Sequence, residues 1–308
     1  MRSRSFFDTG VRILVSFNAV LAASVLLGIL LFLLLYGIRA FIPTGELSPD
    51  DLSAQPLSLS GFLFGTSWNP DAYGQPKYGI VPLLLGSLIT TLIALLIAVP
   101  LGIAGAVFIA ERLKGTFRIA VKMVVELFAG FPSVVIGFFG LIVLGPFLAR
   151  LFNVPSGLNV LNAGLLLGLM SLPTIISVSE DALRVVPHSY REAAYALGAS
   201  PWTTAIRVIL PAARSGILAA VMLGFGRAVG ETMAVLMVAG NAPIIPRSLF
   251  DPVRTITTTI AIELGESTFN SVHFFALFAL GFILFLIAML TNLIAESLIQ
   301  REKRSFTL

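Results

Sequence analysis

Long apolar runs without a charged residue recur along this chain, and the first covers residues 13–38. A helix needs roughly 20 apolar residues to cross a bilayer, whereas the core of a signal peptide has about 7 to 15. Hydrophobic residues make up 57% of the chain and charged residues only 12%, about half the share of an ordinary soluble domain. These features predict an integral membrane protein whose first helix is an uncleaved transmembrane segment.

Further apolar runs predict five more transmembrane helices, within residues 78–110, 127–149, 161–178, 215–246 and 267–295. Pro100 predicts a bend or break in the second helix, because an interior proline removes a backbone donor and clashes with the preceding turn. Two glycine pairs, Gly137 with Gly140 and Gly164 with Gly168, predict close packing against neighbouring helices. The expected fold is one all-α bundle of six transmembrane helices.

The lysines and arginines predict how this bundle is oriented. With the N-terminus inside, fourteen of the 20 lysines and arginines lie inside, five lie outside, and Arg227 lies within the membrane. This distribution follows the positive-inside rule, and it explains the pI of 9.7 without a surface for nucleic acid. We expect a multi-pass protein with both termini in the cytoplasm. Residues 40–77 and 247–271 are expected outside, the second with a short or partly embedded helix.

One polar segment, residues 180–214, separates two apolar runs on the predicted cytoplasmic side. Ser189 and Glu192 have the spacing of a capping box, which predicts a helix start. Gly198 permits the left-handed residue that closes a helix, and Pro201 suits the first position of the next helix. The segment is therefore expected to form a compact elbow of two short helices.

The first helix of this elbow carries a narrow surface of small side chains. Ala193, Ala194 and Leu197 lie on it beside Tyr190. Two interpretations are open: the surface docks another protein, or alanine and leucine merely favour a helix that packs on its own membrane domain.

Charged residues also occur inside the fifth predicted span, where each costs about 2.5 to 3.5 kcal/mol at a helix centre. Arg227 and Glu231 are four residues apart, on one face of the predicted helix, and Thr232 follows. They are either a self-neutralising pair that holds the bundle together or a polar path. On a path, Arg227 would offer its planar donors to an anion, and Glu231 would hold Arg227 or compete for it. The two roles can coexist.

No catalytic motif is present in the sequence. It contains no G-x-x-x-x-G-K-[ST] phosphate loop, no G-x-S-x-G elbow and no H-E-x-x-H pair. The chain has no cysteine and only two histidines, so a metal cluster is not expected. We therefore expect a protein without catalytic residues, metal or cofactor, whose energy source is another subunit.

The elbow resembles the signature loop of binding-protein-dependent ABC importer permeases. The resemblance rests on Glu-Ala-Ala at residues 192–194, on Gly198, and on Ile-Leu-Pro at residues 209–211, where Pro211 is expected to end the second elbow helix. In that family the loop forms a coupling helix in a cleft of the ATP-hydrolysing subunit. The coupling residues that the resemblance implies are Glu192, Ala193, Ala194 and Gly198.

Other stretches resemble the PstC-type permeases of phosphate-specific importers. They are residues 61–70, 132–137, 179–183 and 226–234. Because the match runs from about residue 60 onward, we divide the chain into residues 1–60, an N-terminal helix and the start of an external loop, and residues 61–308, the permease core with its coupling loop at 180–214.

The resemblance implies the substrate, the partners and the membrane. These are inorganic phosphate, a second homologous permease, a dimeric ATP-binding subunit at the cytoplasmic face, an extracytoplasmic phosphate-binding protein, and a bacterial cytoplasmic (inner) membrane. One alternative is a permease of the same architecture for molybdate, sulfate or a phosphonate. Another is an ion-coupled transporter or channel, in which Arg227 and Glu231 form a gate or a proton relay.

Overall fold

The predicted all-α membrane bundle is confirmed in the structure, a computed structural model that describes residues 2–42, 56–72 and 76–305. Five of the described helices are long and apolar enough to cross a membrane: Val11–Phe41, Val81–Glu111, Ser133–Phe152, Val160–Val185 and Val272–Ser297. A sixth is obtained if Pro201–Ala212 and Arg214–Gly230, which meet at 73°, count as one broken span.

The first helix and a small sheet begin the chain. Helix α1 covers Arg2–Ile38, and α2 covers Leu59–Phe64. Strand β1, Trp68–Asn69, pairs antiparallel with β2, Lys77–Tyr78, so that Trp68 lies opposite Tyr78. Residues 43–55 and 73–75 of the predicted external segment lie outside the described residues.

The centre of the bundle is the pair of helices α3, Val81–Glu111, and α7, Val160–Val185. Of the bend or break predicted at Pro100, the break is wrong, since α3 continues through this residue. The predicted close packing of α7 is confirmed: a Cβ atom on Gly164 would lie 2.5 Å from Cγ2 of Ile93 in α3. Only glycine lets these two helices approach so closely.

The third predicted span, residues 127–149, starts too early. The chain first forms α4, Gly115–Ala129, and then breaks. The membrane helix follows as α5, Ser133–Phe139, a π-helical turn, Gly140–Leu144, and α6, Gly145–Phe152. The break falls before Pro132, because proline cannot donate to the preceding turn and disfavours helical backbone in the residue before it.

The elbow consists of α8, His188–Ala196, and a second helical run made of α9, Pro201–Thr204, a π-helical turn, Ala205–Ile209, and α10, Leu210–Ala212. The predicted capping box is wrong: Pro187 precedes the helix as N-cap, and no side chain caps it. Pro211 does not end the second helix either, which continues to Ala212. The amide of Leu210 bonds to Ala205 across the π turn, and this carries the helix into the proline.

The fifth predicted span, residues 215–246, is split into α11, Arg214–Gly230, and α12, Met233–Val238. The predicted short helix in the second external segment is confirmed as α13, Ile256–Glu263. Helix α14, Val272–Ser305, is the last element.

Two clusters of buried apolar residues lie at opposite ends of α3. The cluster at its N-terminal end includes Trp68 and Ile80 and joins the sheet to α13 and α14. The cluster at its C-terminal end includes Val107 and Ile209 and joins α3 to the elbow. We call the first of these the outer end of the bundle, because the sequence predicts that it faces outward, and the second the elbow end.

Candidate functional site

The chain is interrupted between α11 and α12, at Glu231 and Thr232. Glu231 has an extended backbone with ψ 133°, and its Oε1 accepts a hydrogen bond of 3.2 Å from the amide of Ala234. A carboxylate at a helix N-terminus satisfies a free amide and interacts favourably with the helix dipole. The predicted placement of Arg227 and Glu231 on one helical face is wrong, because α11 ends at Gly230.

Arg227 lies in the last turn of α11 and is half-buried. Its Nη2 donates a hydrogen bond of 3.1 Å to the carbonyl of Ala129, the last residue of α4. A guanidinium carries five N–H donors, and within the described chain this is the one hydrogen bond that Arg227 makes. No ion pair joins Arg227 to Glu231 among the described residues. Most N–H donors of Arg227 therefore have no acceptor among the described residues.

The bond between Arg227 and Ala129 brings two helix breaks together. One is the break at Glu231 and Thr232, and the other is the break between α4 and α5 at residues 130–132. Thr232 donates to the carbonyl of Gly230 at 3.4 Å. Broken helices at membrane depth are tolerated where they face protein or line a polar cavity. The sequence predicts Arg227, Glu231 and Thr232 as residues of the substrate pathway, and we call them the pathway cluster.

The turn of the elbow has the geometry that its sequence predicts. Gly198 has φ +79°, in the left-handed region. Its amide donates to the carbonyl of Tyr195, and the amide of Ala199 donates to that of Ala194, so the end of α8 is closed. Pro201 is the first residue of α9, and the hydroxyl of Ser200 accepts from the amide of Thr203 to cap it.

The exposed surface of the elbow differs from the predicted one. Glu192 and Ala193 are exposed, but Ala194 is only 7% exposed and packs on its own chain. Leu197 is 89% exposed and Trp202 61%, a large apolar area for the turn of a loop. A cavity of about 680 Å³ lies between this surface and α3, lined in part by Phe108, Tyr195 and Trp202.

Sequence reasoning missed the residue that fastens the elbow to the bundle. Arg191 of α8 donates from Nη2 to Glu111, the last residue of α3, at 2.7 Å. The same guanidinium donates to the carbonyls of Val186 and Leu183 at the end of α7. The charge of Arg191 beside Glu192 was visible in the sequence, whereas its partner lies 80 residues away.

A second missed cluster holds α4 against α7. The carboxylate of Glu180, 1% exposed, lies within 4 Å of three cations. These are Arg118, Lys122 and Arg184. Burial lowers the pKa of Lys122, but hydrogen bonds to Asp181 and Glu180 outweigh burial and raise this pKa above its ordinary value of 10.5. Arg118 and Lys122 therefore anchor the amphipathic helix α4 to α7.

In the part of the chain that the structure describes, no three His, Cys, Asp or Glu side chains form a group that could hold a metal ion. His188 is exposed at the start of α8. His273 lies 2.9 Å from the carboxylate of Glu263.

The sequence matches the family of binding-protein-dependent transport system inner membrane components over residues 98–304. It is 38% identical over 302 residues to the probable ABC transporter permease protein YqgH of Bacillus subtilis (strain 168), covering 98% of this chain and 94% of that protein. It is 42% identical over 270 residues to the phosphate transport system permease protein PstC of Mesorhizobium japonicum, covering 81% of each.

The fold is also similar to solved importers. An inward-facing structure of the MetNI methionine ABC transporter matches with a TM-score of 0.54 and 18% identity, covering 72% of this chain and 94% of that one. A bacterial ABC transporter for the import of alginate matches with a TM-score of 0.54 and 17% identity, covering 72% and 79%. The chain belongs to the binding-protein-dependent transport system inner membrane components, the membrane-spanning permease subunits of ABC importers.

Proposed function

We propose that this chain is the permease subunit of an ATP-driven importer of inorganic phosphate, and that the pathway cluster contacts the anion. The observation that carries the proposal is the position of Arg227 at two helix breaks, where it makes one hydrogen bond to the described residues. An anion that enters a membrane loses hydration, and a guanidinium replaces it with paired, charge-assisted hydrogen bonds. The relatives named as phosphate permeases support phosphate among the oxyanions.

The path is completed by a second, homologous permease. Gly230 beside the cluster is exposed, and so are Phe131, Val134 and Phe138 around the α4–α5 break. A guanidinium that faced lipid here would cost about 2.5 to 3.5 kcal/mol. A protein surface that covers this face removes that cost and encloses the anion.

The elbow couples the path to a dimeric ATP-binding subunit. Glu192, Ala193 and Gly198 supply an exposed helix end, and Leu197 supplies an apolar anchor for a cleft. Ala194 contributes by packing the helix on its own bundle. ATP hydrolysis is the task of the partner, because the chain carries no phosphate-binding loop.

The outer end receives an extracytoplasmic phosphate-binding protein. The proposed location is a bacterial cytoplasmic (inner) membrane, with both termini in the cytoplasm. The concentration of lysine and arginine on the elbow side supports this orientation.

Uptake of radiolabelled phosphate into proteoliposomes tests the substrate. The vesicles contain this chain, its partner permease and the ATP-binding subunit, and the binding protein is added outside. We expect ATP-dependent uptake that unlabelled phosphate suppresses and that excess sulfate or molybdate leaves unchanged. Vesicles without ATP are the control. Suppression by sulfate or molybdate, or no phosphate uptake, contradicts the proposal.

A further inference from the structure

A buried carboxylate at the outer end gathers side chains from three separate segments. Glu263, the last residue of α13, is 7% exposed. Its oxygens accept from Trp68 Nε1 at 2.9 Å and from Arg254 Nη1 at 2.6 Å, and they lie 2.9 Å from His273 Nε2. A buried charge is tolerated only when it is paired and its lone pairs are bonded. We call these four residues the outer network.

Trp68 fixes the segment before α3 to this network. Its ring is 2% exposed and meets Tyr78 edge-on, with centroids 5.6 Å apart. Burial, with the negative charges of Asp71 and Glu263, raises the pKa of Tyr78 to about 12, so its phenol is neutral at physiological pH. The β1–β2 sheet is therefore anchored through one indole N–H to Glu263.

Helix α13 in turn holds both ends of α12. Arg254, just before α13, donates from Nε to the carbonyl of Asn241 at 2.9 Å, beyond the C-terminal end of α12. Thr257, in the first turn of α13, donates from Oγ1 to the carbonyl of Glu231 at 2.9 Å. Helix α12 has only six residues, and these two hydrogen bonds hold the chain on both sides of it.

We infer that Glu263 is a positioning residue for anion passage, which transmits a movement of the β1–β2 sheet through α13 to the pathway cluster. The inference rests on the proposed function. In this route the first hydrogen bond joins Trp68 to Glu263, and the last joins Thr257 to Glu231. A contiguous chain of hydrogen bonds and short rigid helices is a physical route for such coupling. A binding protein that docks on the sheet would thus act on the path without touching it.

The test is the ratio of ATPase activity with and without phosphate-loaded binding protein, measured on the assembled transporter. Trp68→Phe keeps the ring packing but removes the donor to Glu263, and Glu263→Gln keeps the shape but removes the charge. We expect both variants to keep their basal ATPase activity while the ratio falls by about fivefold or more, the lower scale of allosteric coupling. A loss of folded protein lowers both activities equally and leaves the ratio unchanged.

Ser58→Ala is the matched control, because it removes the hydrogen bond that caps α2 in the same segment without touching Glu263. Its ratio is expected to equal that of the wild type. A wild-type ratio in both Trp68→Phe and Glu263→Gln overturns the role of Glu263 even when the wild type imports phosphate. Absence of phosphate uptake by the wild type overturns the proposed function instead.

Discussion

The guanidinium of Arg191 lies 2.7 Å from the carboxylate of Glu111 and so joins the elbow to the end of α3. Both side chains are largely buried, and Arg191 also closes the end of α7 through two carbonyls. The elbow and the two central helices are therefore linked at one point. This ion pair adds to the apolar cluster around Val107 and Ile209, which also joins the elbow to α3.

Replacing Arg191 by methionine leaves the buried carboxylate of Glu111 without its cation. We expect a loss of about 3 kcal/mol in folding free energy, measured by thermal unfolding in detergent. The double variant Arg191→Met with Glu111→Gln should recover part of this loss, since it leaves no buried charge unpaired. Arg184→Met is the control, because Arg184 is half-exposed and lies 3.9 Å from its partner. Equal destabilisation by Arg191→Met and Arg184→Met would disprove the special role of this pair.

Gly198 closes α8 at φ +79°, and a Cβ atom there would meet no other atom within 4 Å. Gly198→Ala should therefore cost about 1 kcal/mol through backbone strain alone, and Gly198→Val more. We expect the variants to insert normally but to retain less ATP-binding subunit during gentle purification. Gly28→Ala, in open space within α1, serves as control and should retain all of it. Full retention in Gly198→Val would remove the turn from the coupling mechanism.

Glu180→Gln should weaken the packing of α4 on α7, because Arg118 and Lys122 of α4 lose their buried partner. We expect about 3 kcal/mol of destabilisation, whereas Asp181→Asn, at an exposed carboxylate, should cost far less. Unfolding temperatures in detergent measure both. If Glu180→Gln and Asp181→Asn lower the unfolding temperature equally, Glu180 does not anchor α4 to α7.

The raised pKa of Lys122 gives this anchor a defined pH dependence. A cation whose pKa is higher in the folded state contributes its full stability below its ordinary pKa, which is 10.5 here. The difference in stability between the wild type and Lys122→Met should be constant from about pH 6 to 9 and be lost only as the pH rises through the raised pKa of Lys122, which lies above 10.5. A difference that changes near neutrality would contradict this assignment.

Exchanging the two charges of the pathway cluster tests whether they form a pair. Arginine at position 231 cannot accept from the amide of Ala234, so the cap of α12 is lost. We expect the double variant Arg227→Glu with Glu231→Arg to be impaired in both assembly and transport. Loss of the cap alone should lower the folding free energy by about 1 kcal/mol. Glu231→Gln keeps an acceptor and should assemble. Assembly of the exchanged protein at wild-type yield would restore the interpretation of a simple pair.

The sequence predicted those parts of the fold that depend on local chemistry. Apolar runs located the spans, Gly198 located the turn, and glycines such as Gly164 marked close helix packing. It did not predict the break at Glu231, because no proline marks the break and the carbonyl of Glu231 accepts its hydrogen bond from Thr257, which lies 26 residues away. The role of Glu263 was not predicted either, because its donor Trp68 lies 195 residues away along the chain. Such partnerships are set by tertiary packing and leave no local pattern.

The most direct test of the account is phosphate uptake by Arg227→Lys in vesicles that contain the complete transporter. Lysine keeps the charge but lacks the planar fork, so we expect uptake to fall by about tenfold or more while basal ATPase activity and assembly are retained. Arg150→Lys, at an arginine outside the cluster near the end of α6, is the matched control. Wild-type uptake by Arg227→Lys would show that the anion passes elsewhere and would contradict the role assigned to the pathway cluster.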